Sequence, residues 1–163
     1  MQITTFHDLY IAELQELRSM KELLVDAHER FAKVAANPKL IAGFKAPRQE
    51  TQDQIRRIDS ILHKHKARAE HKDQAIEALL REAGKMIEFT ARGDLRDVAL
   101  IASCQKIVHY EIAAFGNAAA LAGQLNRCDE QKLLHQCLEE TKRADLMMTE
   151  LAKGEINPHA VAA

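Results

Sequence analysis

The residues of this chain best suited to chemistry are acidic side chains at helical spacing. Glu50 stands beside Thr51, Asp53 and Gln54, and Glu111 lies in the run Val108-His109-Tyr110-Glu111-Ile112-Ala113. Glu139 and Glu140 precede Thr141, while Glu13 and Glu16 edge a stripe carrying Leu14, Leu17 and Leu24. Carboxylates from four helices, usually with an imidazole three residues after a Glu, are what a two-metal site in a helical bundle needs. The imidazole part of that pattern is weak. No Glu-x-x-His pair falls at an inward position of the second or fourth helix, and His109 has no acid three residues before it. His109 therefore reads as a hydrogen-bonded or surface histidine. The position between Leu17 and Leu24 that faces the core is Lys21. The ordinary reading of Glu13, Glu16 and Glu139 is a solvated flank, and for Glu50 and Glu111 the two readings are evenly weighted. Spacing alone supports an acidic bundle centre and nothing sharper.

Four long helices must position these groups. Thr5-x-x-Asp8 opens the first. Tyr10, Leu14, Leu17, Leu24 and Phe31 then recur at helical spacing and predict a helix over about 5–36. Asn37-Pro38 makes a short turn, with Asn as cap and Pro at the first helical position. A second helix is predicted over about 38–67, with Pro47 inside it as a kink. Residues 72–91 form a shorter amphipathic segment, ended by Gly93, and Asp94 caps the next helix. The third helix is predicted over about 95–124 and the fourth over about 128–153, stopped by Gly154.

The connections thus read short, long, short. A helix of about 28 residues is about 42 Å long, and the segment from 68 to 94 can cross that distance. The expected fold is all-α, a ferritin-like four-helix bundle whose one long crossover carries an extra short helix. Residues 1–154 are the bundle, and 155–163 are expected to be a flexible tail.

Bulk properties exclude several classes. The chain has 163 residues, which fits one domain with an apolar core of its own. A net charge of −1 gives no global field to hold nucleic acid or a membrane surface. The local basic stretch His63-Lys64-His65-Lys66-Ala67-Arg68 has no aromatic residue among its cations and reads as a solvated helix end. Cys104, Cys128 and Cys137 form no CxxC pair; Cys104 and Cys137 sit in mostly apolar helical contexts and read as buried thiols, and a reducing compartment is the simplest reading. With no signal peptide and no uninterrupted apolar run of membrane-spanning length, a cytoplasmic location is expected. No Ser or Cys occupies a nucleophile motif and no glycine-rich loop could cradle phosphate.

Several blocks together give a sharper indication. They are Asn37-Pro38-Lys39-Leu40, then Glu50-Thr51 with Gln54-Ile55 and Arg57-Ile58-Asp59. Leu95 to Ala102, His109-Tyr110-Glu111-Ile112-Ala113 and Leu138-Glu139-Glu140 with Asp145 follow in order. Across about residues 4–153 the chain resembles the YciE/YciF-like family of bacterial stress-response proteins, ferritin-like in fold. The resemblance implies a carboxylate dinuclear centre of iron or manganese in the bundle core, and pairing into a homodimer. The candidate metal ligands are Glu16, Glu50, Glu111 and Glu140, of which Glu50, Glu111 and Glu140 match the family's pattern.

The sequence departs from that pattern at three positions. Lys21, Val108 and Thr141 stand where the family carries carboxylates. Two divalent ions in a low-dielectric core need about four compensating negative charges, because unbalanced buried charge is costly. Three lost carboxylates and an added ammonium reverse that balance. The first expectation is therefore a remnant site, with Lys21 paired to Glu50 or Glu111 in place of metal and no resident cofactor. This gives a non-enzymatic, stress-associated structural or interaction protein of undefined partner. The second is a working di-iron or manganese protein with oxidase, peroxidase or metal-handling chemistry, for which Glu16 or Glu22 would be the ligand and Lys21 would face solvent. The third is a helical binding module.

Overall fold

The structure is a computed structural model that describes residues 2–68 and 70–162. Helix α1, Phe6–Val34, starts at a reciprocal cap. The Asp8 backbone N–H donates to Thr5 Oγ1 at 3.0 Å and the Thr5 N–H donates to Asp8 Oδ2 at 2.9 Å. Two otherwise orphaned donors are satisfied together. Asn37 then accepts from the Lys39 and Leu40 N–H groups and starts α2, Pro38–Lys45, with proline in its first turn.

The expected single kinked helix over 38–67 is two helices. Regular helix is interrupted at Ala46, although its N–H still bonds to the Ala42 carbonyl, and Pro47 opens α3, Pro47–Lys64. Proline has no N–H to give the preceding turn, so the break falls just before it. The shorter segment is α4, Gln74–Phe89, whose first turn is capped by Asp73 accepting from Ile76 N–H at 3.0 Å. It lies along the side of the bundle, mainly against α5, Asp94–Gln124, and less against α1. Gly93 takes φ of 94°, a conformation that L side chains rarely adopt, just before α5 begins. Asn126 supplies the left-handed residue of the short turn into α6, Cys128–Leu151.

The C-terminal segment differs from expectation. After α6 one turn of π-helix, Ala152–Ile156, leads into α7, Asn157–Ala162. Residues 155–162 are helical where fraying was expected, because Ile156 is buried at 2 % exposure and Glu155 is held by Asn37 and Lys39.

The four long arms are α1, α2–α3, α5 and α6. The tightest packing is α5 on α6, followed by α1 on α3, while α3 meets α6 only sparsely. Tyr10, Leu14, Leu17, Met20 and Leu24 of α1 fill the middle with Ile58, Ile61, Leu100, Phe115, Leu134 and Cys137. An 18-residue window of α5 reaches mean hydropathy 1.2, as a membrane-crossing helix also does, and half of it is buried among the other helices.

Candidate functional site

The α1 stripe turns Lys21 inward between Leu17 and Leu24. Its residue exposure is 3 %, as is that of Glu111 on α5. Lys21 Nζ donates to Glu111 Oε2 at 2.5 Å, and the Phe115 ring, one turn further along α5, has its centroid 6.0 Å from the same nitrogen. The ammonium thus has a carboxylate and the face of an aromatic ring, two surroundings that favour a desolvated cation. Val108 and Thr141 are buried beside this level of the bundle. Thr141 turns its hydroxyl back to the Cys137 carbonyl at 2.9 Å. The Cys104 thiol on α5 is pushed well up by burial and then by the negative charge of Glu111.

Glu140 is occupied elsewhere. Its Oε2 accepts from Gln54 Nε2 at 2.9 Å and Arg57 Nη1 at 2.6 Å, and its Oε1 accepts from Gln136 Nε2 at 3.1 Å. Burial works to raise its pKa, but the bonds from Arg57 and Gln54 outweigh burial and hold it below the usual carboxylate range. Arg57 also reaches Cys137 Sγ at 3.5 Å. Glu50, half-buried, has no hydrogen-bonding partner among the described residues. It lines a groove of about 410 Å³ between the α2–α3 break and α6, together with Glu140, Phe44, Met147, Met148 and Leu151. Glu16 sits on a different side of the bundle. Its Oε1 lies 2.9 Å from His71 Nε2 on the α3–α4 connection, and burial raises its pKa.

The four carboxylates therefore do not converge. Glu50 and Glu140 share one groove, Glu111 is taken by Lys21, and Glu16 faces the crossover. Among the described residues no three His, Cys, Asp or Glu side chains are grouped to hold a metal ion. This donor set, as arranged, does not fit a dinuclear carboxylate centre, because its four carboxylates are dispersed and Glu111 is paired with the Lys21 ammonium. His109 is exposed and 3.4 Å from Asp145, in keeping with its surface reading.

Sequence reasoning missed two polar clusters. Asp97, 1 % exposed, accepts from the Ala36 N–H at 2.9 Å and the Asn37 N–H at 2.7 Å, so α5 caps the turn between α1 and α2. The other cluster lies at the end of the bundle where α1 begins and α3 ends. His7 Nε2 and His65 Nδ1 are 3.0 Å apart, His65 Nε2 is 3.0 Å from Glu130 Oε2, and Tyr10 OH donates to the same oxygen at 2.9 Å. His65 is part of the basic stretch taken as solvated, yet its side chain is 6 % exposed. Only the stripe position of Tyr10, three residues after His7, hinted at this contact.

A family described as a domain of unknown function, DUF892, matches residues 5–161. The chain belongs to this family. Protein YciF of Escherichia coli K12 is 38 % identical over 162 residues, covering 98 % of each chain. The crystal structure of that E. coli stress protein superposes with a TM-score of 0.89 over 95 % of this chain and 99 % of its own. YcfI from Rhodopseudomonas palustris, provisionally described as a structural protein, superposes with a TM-score of 0.87 at 29 % identity, covering 91 % of this chain and 95 % of its own. A two-domain protein of Anabaena variabilis with DJ-1/ThiJ/PfpI-like and ferritin-like domains matches at 13 % identity with a TM-score of 0.62, over 94 % of this chain and 38 % of that one. That likeness concerns fold alone, and with the helix order it makes this DUF892 chain an all-α, ferritin-like bundle.

Proposed function

We propose that this DUF892 protein is a non-enzymatic, stress-associated structural or interaction protein of the cytoplasm. In it a Lys–Glu pair closes the bundle centre, where the family resemblance implied a dinuclear carboxylate site. The observation that carries this reading is Lys21 Nζ at 2.5 Å from Glu111 Oε2, both buried. An ammonium and a carboxylate neutralise each other in the low-dielectric middle, where two divalent ions would need about four carboxylates instead. The relatives' descriptions as a stress protein and a structural protein support the biological half of the reading. Pairing into a homodimer is part of the proposal.

Iron and manganese content tests it. The protein is purified without an affinity tag after growth with both metals and measured by elemental analysis. The expected result is less than about a tenth of an ion of iron or manganese per chain, and thermal stability unchanged by added iron or manganese. About two ions per chain would overturn it in favour of a working di-iron or manganese protein. The variant Lys21→Glu with Val108→Glu is expected to regain metal-dependent stability.

A further inference from the structure

His7 and His65 stand apart from the bundle centre. Glu130, in the first turn of α6, has a side chain 7 % exposed and accepts the Tyr10 hydroxyl. His65 Nε2 lies 3.0 Å from Glu130 Oε2 and 3.2 Å from Oε1, so it is the protonated nitrogen that donates to this carboxylate. His65 Nδ1 is left with its lone pair. That lone pair faces His7 Nε2 at 3.0 Å, with ring centroids 5.0 Å apart and planes tilted by 54°.

We propose that His7 Nε2 and His65 Nδ1 form a site for a borderline divalent transition metal of the copper(II)–zinc(II) kind, with Glu130 as its outer carboxylate. Three observations carry it. First, a metal-bound histidine characteristically donates its other ring N–H to a carboxylate, which fixes the tautomer and makes the ligating nitrogen more basic. His65 already has that partner, and Glu130 is itself fixed by Tyr10. Secondly, the spacing suits a shared ion once the two rings turn their facing nitrogens off the N···N line toward one point. Two nitrogens at about 2.0–2.1 Å from one metal lie about 2.9 Å apart at a right angle and about 3.4 Å apart at the tetrahedral angle. The observed separation is 3.0 Å. Thirdly, both rings sit on fixed backbone. The capping box holds His7, and the His65 N–H closes α3 on the Ile61 and Leu62 carbonyls.

On binding, His7 shifts its proton from Nε2 to Nδ1, so both facing nitrogens offer lone pairs and no net proton is released. Imidazole donors select copper, nickel and zinc over manganese or magnesium, with copper tightest. Among the described residues no third His, Cys, Asp or Glu joins the pair. Water or an external ligand then fills the remaining positions.

The test uses the untagged natural chain titrated with Cu²⁺ and, separately, Zn²⁺ near neutral pH, followed by calorimetry and, for copper, by electron paramagnetic resonance. One Cu²⁺ per chain with nitrogen couplings from two imidazoles is expected. His7→Gln, at a half-buried helix start, is expected to lower the affinity by at least about tenfold and leave one imidazole coupling or none, with unchanged helical circular dichroism. Glu130→Gln is expected to lower it about tenfold, as loss of an outer carboxylate does. The variant His63→Gln is expected to change neither the affinity nor the couplings. Absence of binding, or binding and couplings untouched by His7→Gln, would overturn the proposal and leave His7–His65 as a hydrogen bond only. Should His7→Gln unfold, the natural chain decides, since copper without two imidazole couplings also overturns it. The bundle-centre reading is judged on iron and manganese and on Lys21, so the two proposals fail separately.

Discussion

Lys21 Nζ and Glu111 Oε2 meet at 2.5 Å from residues 90 positions apart, and each side chain is only 4 % exposed. The pair joins α1 to α5 across the centre of the bundle. Such a pair adds little net stability against an apolar replacement, yet breaking it strands a buried charge. Lys21→Met and Glu111→Leu as single changes are therefore each expected to cost about 3–5 kcal/mol. The double variant is expected to lie within about 1–2 kcal/mol of the natural chain, or above it. Urea unfolding of all four proteins, closed as a double-mutant cycle, measures this. Additive single effects would show that the two groups are not coupled.

His28 predicts an acid-sensitive component of stability. Its ring stacks on Phe44 at 6.5 Å, its Nδ1 is buried with no hydrogen-bonding partner, and Lys21 stands two turns before it on α1. Burial first, and the Lys21 charge second, push its pKa down to about 4. In the unfolded chain it returns to about 6.5. Between these values the unfolded state takes up a proton that the folded state refuses, so stability falls as pH falls. The contribution is full above about pH 6.5 and is lost as pH drops through about 4. Carboxylates held low, such as Glu140, lose theirs at the lower end of this range. Urea midpoints measured along a pH series are expected to decline from about pH 6.5 downward, and His28→Phe is expected to flatten the upper part of that decline. An unchanged curve in the variant would assign the acid sensitivity to the carboxylates alone.

The four long arms, their order and the long crossover were legible because apolar stripes and turn residues are local signals. The Thr5 cap and the Asn37-Pro38 turn fell where expected, whereas α4 already ends at Phe89 and Gly93, not Asp94, stands at the N-cap of α5. Pro47 was read as a kink inside one helix and divides two, although Ala46 before it keeps helical angles and bonds to the Ala42 carbonyl. The candidate site was legible residue by residue but not as an arrangement. The stripe placed Lys21 at a core position but left open whether it faced solvent, and its choice of Glu111 over Glu50 depends on how α1 and α5 are rotated against each other. The same is true of Glu140, whose partners Gln54 and Arg57 come from α3. His65 was hidden by its cationic neighbours, because a run of basic residues describes exposure on average and one ring of the run turns in.

Asp97 is the case where a missed residue carries a strong expectation. Its two oxygens each accept one backbone N–H from the α1–α2 turn. Asp97→Ala leaves both donors without a partner in a part-buried turn and removes a charge-assisted pair of bonds. The expected cost is about 2–4 kcal/mol. Asp97→Asn retains one acceptor and is expected to lose about half as much. Differential scanning calorimetry of the two variants checks the order, and equal losses would indicate that the charge rather than the acceptor geometry matters.

The C-terminal segment gives the last prediction. Ile156 is 2 % exposed, and Ala152 beside it is also buried, so the π-helical turn presents an apolar edge to the bundle. α7 and the π-turn pack on α5. Glu155 bonds to Asn37 Nδ2 at 2.8 Å and pairs with Lys39, tying the end of the chain to the start of α2. Burial carries most of the stabilisation, because an exposed ion pair contributes little. Ile156→Ala is therefore expected to cost about 2–3 kcal/mol, and Glu155→Ala to shift the unfolding midpoint only slightly. Deletion of 155–163 is expected to match or exceed the Ile156→Ala loss and to raise amide exchange at the start of α2, where Asn37 and Lys39 lose their partner. A deletion that leaves both the midpoint and the α2 exchange unchanged would return the segment to the frayed tail that Gly154 suggested.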